Sequence, residues 1–185
     1  MTRLPSLSRV AALALAAAVI AGGAWSAAPA LAATDDVTWT VRTASNALGA
    51  DRTNYSYALN PGAHLDDALV VANRGAEAVE LDVYAADGYT TSTGALDLRV
   101  AGEQSVGVGA WVTVPQRHVT VPAGQTVEVP FAVDVPQNAT PGDYAGGVVT
   151  SLTVADASAN VNVDRHLGIR TGIRVGGDLA PALAG

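Results

Sequence analysis

Arg117 to Val149, RHVTVPAGQTVEVPFAVDVPQNATPGDYAGGVV, decides the fold. From Val127 to Val135 the alternation is unbroken: Val127, Val129, Phe131, Val133 and Val135 share one face, and Glu128, Pro130, Ala132 and Asp134 the other. A period of two with one apolar face is the pattern of a half-buried strand. Pro122-Ala123-Gly124 supplies a tight turn before it, and Pro136 to Gly142 a longer Pro/Asn/Gly connection after it. Pro130 cannot donate to a ladder, so its nitrogen is expected to face an edge or a bulge.

Outward from that stretch the same grammar recurs. Asp36 to Thr43 alternates around Trp39 and Val41. Asp67 to Asn73 (DALVVAN) is apolar on both faces and reads as a central strand, closed by Asn73-Arg74-Gly75. Val79, Leu81 and Val83 mark the next strand, after which Ala86-Asp87-Gly88 opens a loop carrying Tyr89. Leu96 to Val100 is a short strand, Gly102 to Gly109 a flexible loop, and Trp111 to Pro115 a lead into the central stretch. Tyr144 to Val154 and Val161 to Val175 are two long strands joined by a turn at Asp156 to Asn160, with Trp111 and Tyr144 assigned to the core. No helical period follows the first segment. The fold class is therefore all-β, a two-sheet immunoglobulin-like β-sandwich.

The expected organisation is a cleaved signal peptide at 1–32, a sandwich at 33–155, a final long strand or the start of a second domain at 156–175, and a linker at 176–185. Arg3 and Arg9 precede an apolar run from Val10 to Ala21, and Ala30-Leu31-Ala32 suits signal peptidase. The chain has no cysteine, so neither a disulfide nor a thiolate is available. All ten basic residues are arginine, and the part after residue 32 carries eight of them against 17 acids, a net −9. Such a surface repels phosphate, so nucleic acid is not an expected partner. A membrane would be contacted only through an anchor beyond Gly185.

Chemistry is sparse. His64, His118 and His166 are far apart in sequence and none sits at a metal-ligand spacing. Asp66-Asp67 with Asp87 or Asp97 offers loop carboxylates of the kind that bind calcium, but without EF-hand spacing, and they read as solvated. No Gly-x-Ser-x-Gly elbow is present. Neither a metal, a cofactor nor an enzymatic activity is expected. Asn46 to Asp66 reads as a long turn-rich loop, a place where function concentrates. Tyr55, Tyr57 and Asn60 within it, with Tyr89, are the candidate ligand-binding residues, because a tyrosine ring stacks on a sugar face while its hydroxyl bonds sugar hydroxyls. Leu167 to Val175 is a candidate exposed edge for pairing with another protein.

The ordered set ALVVANRGAEAVELDVYAADG (68–88), GAWVTVP (109–115) and VTVPAGQTVEVPFAVDVPQNATPGDYAGGVV (119–149) resembles the peptidoglycan-binding domain of WxL-interacting cell-surface proteins of Gram-positive bacteria. The resemblance covers about residues 37–154. It implies a secreted, non-enzymatic module at the cell wall or surface, peptidoglycan as partner and a WxL-type surface protein as a second one. It transfers no ligand residue by position.

Overall fold

The computed structural model describes residues 39–156 and 161–177. The expected signal segment, the turn residues 157–160 and the tail from 178 lie outside them. Strand β8 (Thr126–Asp134) holds the centre of the first sheet, with Val129, Phe131 and Val133 buried. Each of these side chains contributes about 1.5–3 kcal/mol by leaving water. β8 pairs antiparallel with β3 (His64–Asn73), which pairs with β1 (Trp39–Thr43), and β6 (Val112–Thr113) closes the far side, giving the order β1-β3-β8-β6.

The second sheet runs β2 (Tyr55–Leu59), β10 (Val161–Val175), β9 (Gly142–Asp156), β4 (Val79–Thr90) and β5 (Leu96–Leu98), with β7 (His118–Val121) also on β4. The chain crosses between sheets after β1, and β2 then lies parallel to β10. β10 pairs with β9 over its whole length and so belongs to the same sandwich. Two packed sheets with this interleaved order are the immunoglobulin-like arrangement. Their inner faces share one core, in which the Trp39 indole N–H donates to Thr150 Oγ1 at 2.9 Å.

Pro130 sits as its chemistry requires. Opposite it, Ala68 directs its carbonyl to Ala44 N–H of the β1 side (3.0 Å), so the backbone between Pro130 and β3 makes no bond there. The pyrrolidine nitrogen points toward the β6 side, where pairing covers only Thr113 and Val112. The Pro122-Ala123-Gly124 turn also forms, with Gly124 at φ +67° and Gln125 N–H donating to Pro122 O.

Four local expectations are corrected. Residues 46–66 are not one loop: Tyr55 to Leu59 form β2, whose Tyr55 and Tyr57 face the core and whose Ser56 and Ala58 face out. Ala86-Asp87-Gly88 is not a turn, because β4 continues to Thr90. Asp87 is buried there and accepts from Val106 N–H (2.7 Å), Gly107 N–H (3.0 Å) and Gly109 N–H (2.7 Å), so its carboxylate organises the following loop. The Gly102 to Gly109 segment ends in a helical turn, α1 (Val108–Trp111), which packs so tightly that a Cβ on Gly146 would lie 2.6 Å from Val108 Cβ. The expected strand at 111–115 shrinks to Val112–Thr113. Trp111 is buried and its ring lies 4.4 Å from that of Tyr144, as a core role requires.

Candidate functional site

On β10 the buried residues are Ile169, Thr171, Ile173 and Val175, so His166, Gly168, Arg170, Gly172 and Arg174 form the outer face. The same alternation turns Ala145 and Gly147 outward on β9, and Ser56 and Ala58 on β2. Register aligns them into a transverse row: Ser56 pairs with Gly172, Gly172 with Ala145, and Gly88 with Leu98. Gly88 adjoins Ala145, since a Cβ on it would sit 3.2 Å from the Ala145 carbonyl oxygen. From Ser56 through Gly88 no residue in this row carries a side chain larger than a hydroxymethyl. The result is a shallow channel crossing the strands. Four strands at about 4.8 Å spacing make it about 14 Å long.

Two depressions mark the channel. One, of about 500 Å³, is bounded by Ser56, Ala58, Gly172 and Arg174, and the other, of about 650 Å³, by Gly88, Arg99, Glu103 and Val106; they share Asp143, Tyr144 and Ala145. Arg174 grips Asp143 from above, Nε to Oδ1 at 2.6 Å and Nη2 to Oδ2 at 3.0 Å. The guanidinium holds the Asp143 carboxyl below the usual carboxylate range, and both side chains are exposed. At the far end the Arg99 guanidinium lies 5.9 Å from the Tyr89 ring centroid and 3.4 Å from Glu103. The channel thus offers a smooth floor, hydroxyl and carboxylate acceptors, and guanidinium donors.

The sequence-predicted residues divide. Tyr89 is exposed (41%), at the β4 end of the channel. Asn60 is exposed just after β2, and its carbonyl accepts from Ala63 N–H. Tyr55 and Tyr57 are not ligand-facing. Both are buried, for a definite polar reason. Tyr55 OH donates to Ala68 O (2.9 Å) and Tyr57 OH to Asp67 Oδ2 (2.6 Å). Desolvation first, and the neighbouring Asp67 carboxylate next, push both phenols well above their ordinary range.

Asp67 is the hub. Its side chain is 0% exposed and accepts from Arg52 Nη1 (2.6 Å) and Nη2 (2.9 Å), Asn46 Nδ2 (2.7 Å) and Ala68 N–H (2.8 Å). Arg52 Nη2 also donates to Ala44 O at 2.9 Å. This cluster ties the 44–54 connection to the sandwich. Neither Asp67 nor Asp87 is left facing solvent as a loop carboxylate.

The three histidines stay apart: His64 Nδ1 lies 2.6 Å from Asp134 Oδ1, His118 pairs with Asp82, and His166 lies 3.3 Å from the Tyr84 hydroxyl. Among the described residues no group of three His, Cys, Asp or Glu converges as a metal site. Among them, too, no helix is long and apolar enough to cross a membrane. The candidate edge is half covered, because β2 pairs with Thr171 to Val175, and among the described residues no strand pairs with that side of β10 before Thr171. What sequence reasoning missed is the channel floor. Its signal was the glycines at even spacing, Gly168 and Gly172 in β10.

No family model matches the chain, and neither does any curated protein. Among solved structures, a family 123 glycoside hydrolase from Clostridium perfringens is similar at 12% identity over 75% of this chain and 27% of that one, TM-score 0.48. A PapD-like domain of human CEP192 is similar at 11% identity over 77% and 87%, TM-score 0.43. The CsuC–CsuE chaperone and tip subunit complex of Acinetobacter baumannii is similar at 11% identity over 75% and 57%, TM-score 0.46. The chain spans about a quarter of the hydrolase and a little over half of the pilus chaperone complex match. Likeness at this distance carries no information on function.

Proposed function

We propose that this chain is a secreted, non-enzymatic binding module of the cell wall or surface that seats an extended polymer in the transverse channel, with peptidoglycan as the ligand class. One observation carries the reading. A Cβ built on Gly172 meets nothing within 4 Å. Glycine inside a strand costs stability and marks a site where something approaches closely. At Gly147 that something is the Leu98 side chain, 2.6 Å from the would-be Cβ, and at Gly168 it is the Val148 carbonyl oxygen and the Val149 side chain, each at 3.3 Å. At Gly172 nothing among the described residues plays the part, and on this reading a ligand does. Hydroxyl, carboxylate and guanidinium groups around the floor suit a polymer bearing hydroxyls, amides and carboxylates, and Tyr89 supplies a stacking ring at one end.

Every core residue among those described lies in the compact unit spanning Asp36 to Gly185, so residues 33–185 are the protein to test. The test is co-sedimentation of this protein with protein-free sacculi at low and moderate salt, beside Gly172→Val. Saturable pelleting is expected for the parent. The variant is expected to lose it while melting at the same or a higher temperature, because valine suits a strand and its Cβ would meet no described atom within 4 Å. Parent pelleting no better than an unrelated acidic protein would sink the proposal.

A further inference from the structure

We infer that the open part of the β10 edge pairs with a second copy of this chain, antiparallel and centred on Leu167. β10 is bonded to β9 throughout, but β2 covers it only from Thr171 onward. Among the described residues no strand occupies the outer side of 161–170. The direction of its backbone groups is set by Gly176, whose N–H donates to Leu59 O of β2 at 2.9 Å. Alternation along the strand then aims the N–H and C=O groups of Asp164, His166, Gly168 and Arg170 at the empty side.

A two-fold axis through Leu167 places Asp164 of each copy opposite Arg170 of the other, and His166 opposite Gly168. All four are outward-aimed residues, so every opposed pair exchanges both of its backbone hydrogen bonds. The side chains of Asp164 and Arg170 lie on the outer face and are exposed, which makes two symmetric opposite-charge pairs. Neighbouring registers lose this match. Centring on Gly168 sets His166 against Arg170, and centring on His166 sets Asp164 against Gly168. Charge therefore selects one register, and the start of β2 at Thr171 limits the ladder to seven residues, 164–170. Self-complementarity of this kind is what an isologous dimer needs. Antiparallel pairing keeps opposed side chains on one face, so the two transverse channels lie on a single continuous sheet surface. On the polymer-binding reading, that doubles the attachment points on one strand.

The test is sedimentation equilibrium of residues 33–185 without ligand over a concentration series, so its outcome is independent of wall binding. A monomer–dimer equilibrium is expected. Arg170→Asp sets carboxylate against carboxylate twice and is expected to weaken the dimer at least about tenfold. Asp164→Arg should do the same, and the double reversal Asp164→Arg/Arg170→Asp should restore association to near the parent value. Melting of each variant verifies folding. If Asp164→Arg fails to fold, having lost the bond from Thr153, Arg170→Asp alone decides, since among the described residues Arg170 takes part in no ion pair. A parent that stays monomeric throughout the series overturns the inference. So does a dimer indifferent to Arg170→Asp.

Discussion

Replacing Asp67 by alanine removes the acceptor of five hydrogen bonds: two from Arg52, and one each from Tyr57, Asn46 and Ala68. The side chain of Arg52 is only 15% exposed, so its guanidinium is left largely buried without a counter-ion. Removing one partner of such a pair costs about 3–5 kcal/mol. Arg52 lies near enough to solvent to rehydrate in part, which places the loss near the lower end, about 3 kcal/mol. For a domain of this size that is a fall in melting temperature of about 10 °C. Urea unfolding and calorimetry of Asp67→Ala, Arg52→Met and the double variant form a cycle in which the pair should cost less together than the sum of the singles. Acid adds an independent reading. Burial pushes the Asp67 carboxyl up, but hydrogen bonds from Arg52, Tyr57, Ala68 and Asn46 outweigh it and hold the folded value below normal. Stability from Asp67 is therefore present above the unfolded carboxyl value of about 4 and is lost as pH falls through the lower folded value. Asp67→Asn should flatten that acid limb. A loss under about 1 kcal/mol in Asp67→Ala, with an unchanged acid limb, would show that the cluster is incidental to the fold.

Three further outcomes follow from the same geometry. Ultraviolet titration should find Tyr55 and Tyr57 silent until the protein unfolds in alkali, because burial and Asp67 oppose their ionisation; early titration of all five tyrosines would contradict their placement. His64 should titrate above an ordinary histidine by NMR, since Asp134 and then Asp66 favour its charged form, and Asp134→Asn should bring it down. Its raised value makes any contribution to stability one that is present at acid pH and lost as pH rises through the folded value. Asp87→Ala should cost about 1–3 kcal/mol and speed hydrogen exchange at Gly107 and Gly109, whose amides lose their acceptor; unchanged exchange there would refute its role in holding the loop.

How far a residue can be read from sequence depends on whether its partner is local. Val129, Phe131 and Val133 were legible because a buried face imposes a period of two on nearest neighbours, and Pro130 because its missing donor restricts it to an unpaired side. Tyr55 was misread because its flanks, Asn54 and Asn60-Pro61-Gly62, are loop chemistry. What draws it and Tyr57 inward are acceptors at Ala68 and Asp67, 13 and 10 residues away. Asp67 itself carried a usable sign. In DALVVAN every residue from Asp67 to Val71 is buried, and an acid inside such a run requires donors from elsewhere in the chain. Arg52, Tyr57 and Asn46 are those donors. The Asp66-Asp67 doublet hid this by looking like a solvated pair.

The channel was illegible for a different reason. Ser56, Gly88, Ala145 and Gly172 lie on four strands, and only register brings them to one level. Register belongs to pairing across the sheet and cannot be read along one strand. Yet glycine in a strand is a local anomaly, and in the folded sheet each one has its own cause. Gly146 yields to Val108, Gly147 to Leu98, Gly168 to Val148 and Val149, and Gly172 to nothing among the described residues. An internal packing requirement therefore explains three of these four absences of a side chain. The fourth separates stability from binding at a single residue: if filling it strengthens the fold and abolishes attachment, the reason for glycine there lies outside the molecule.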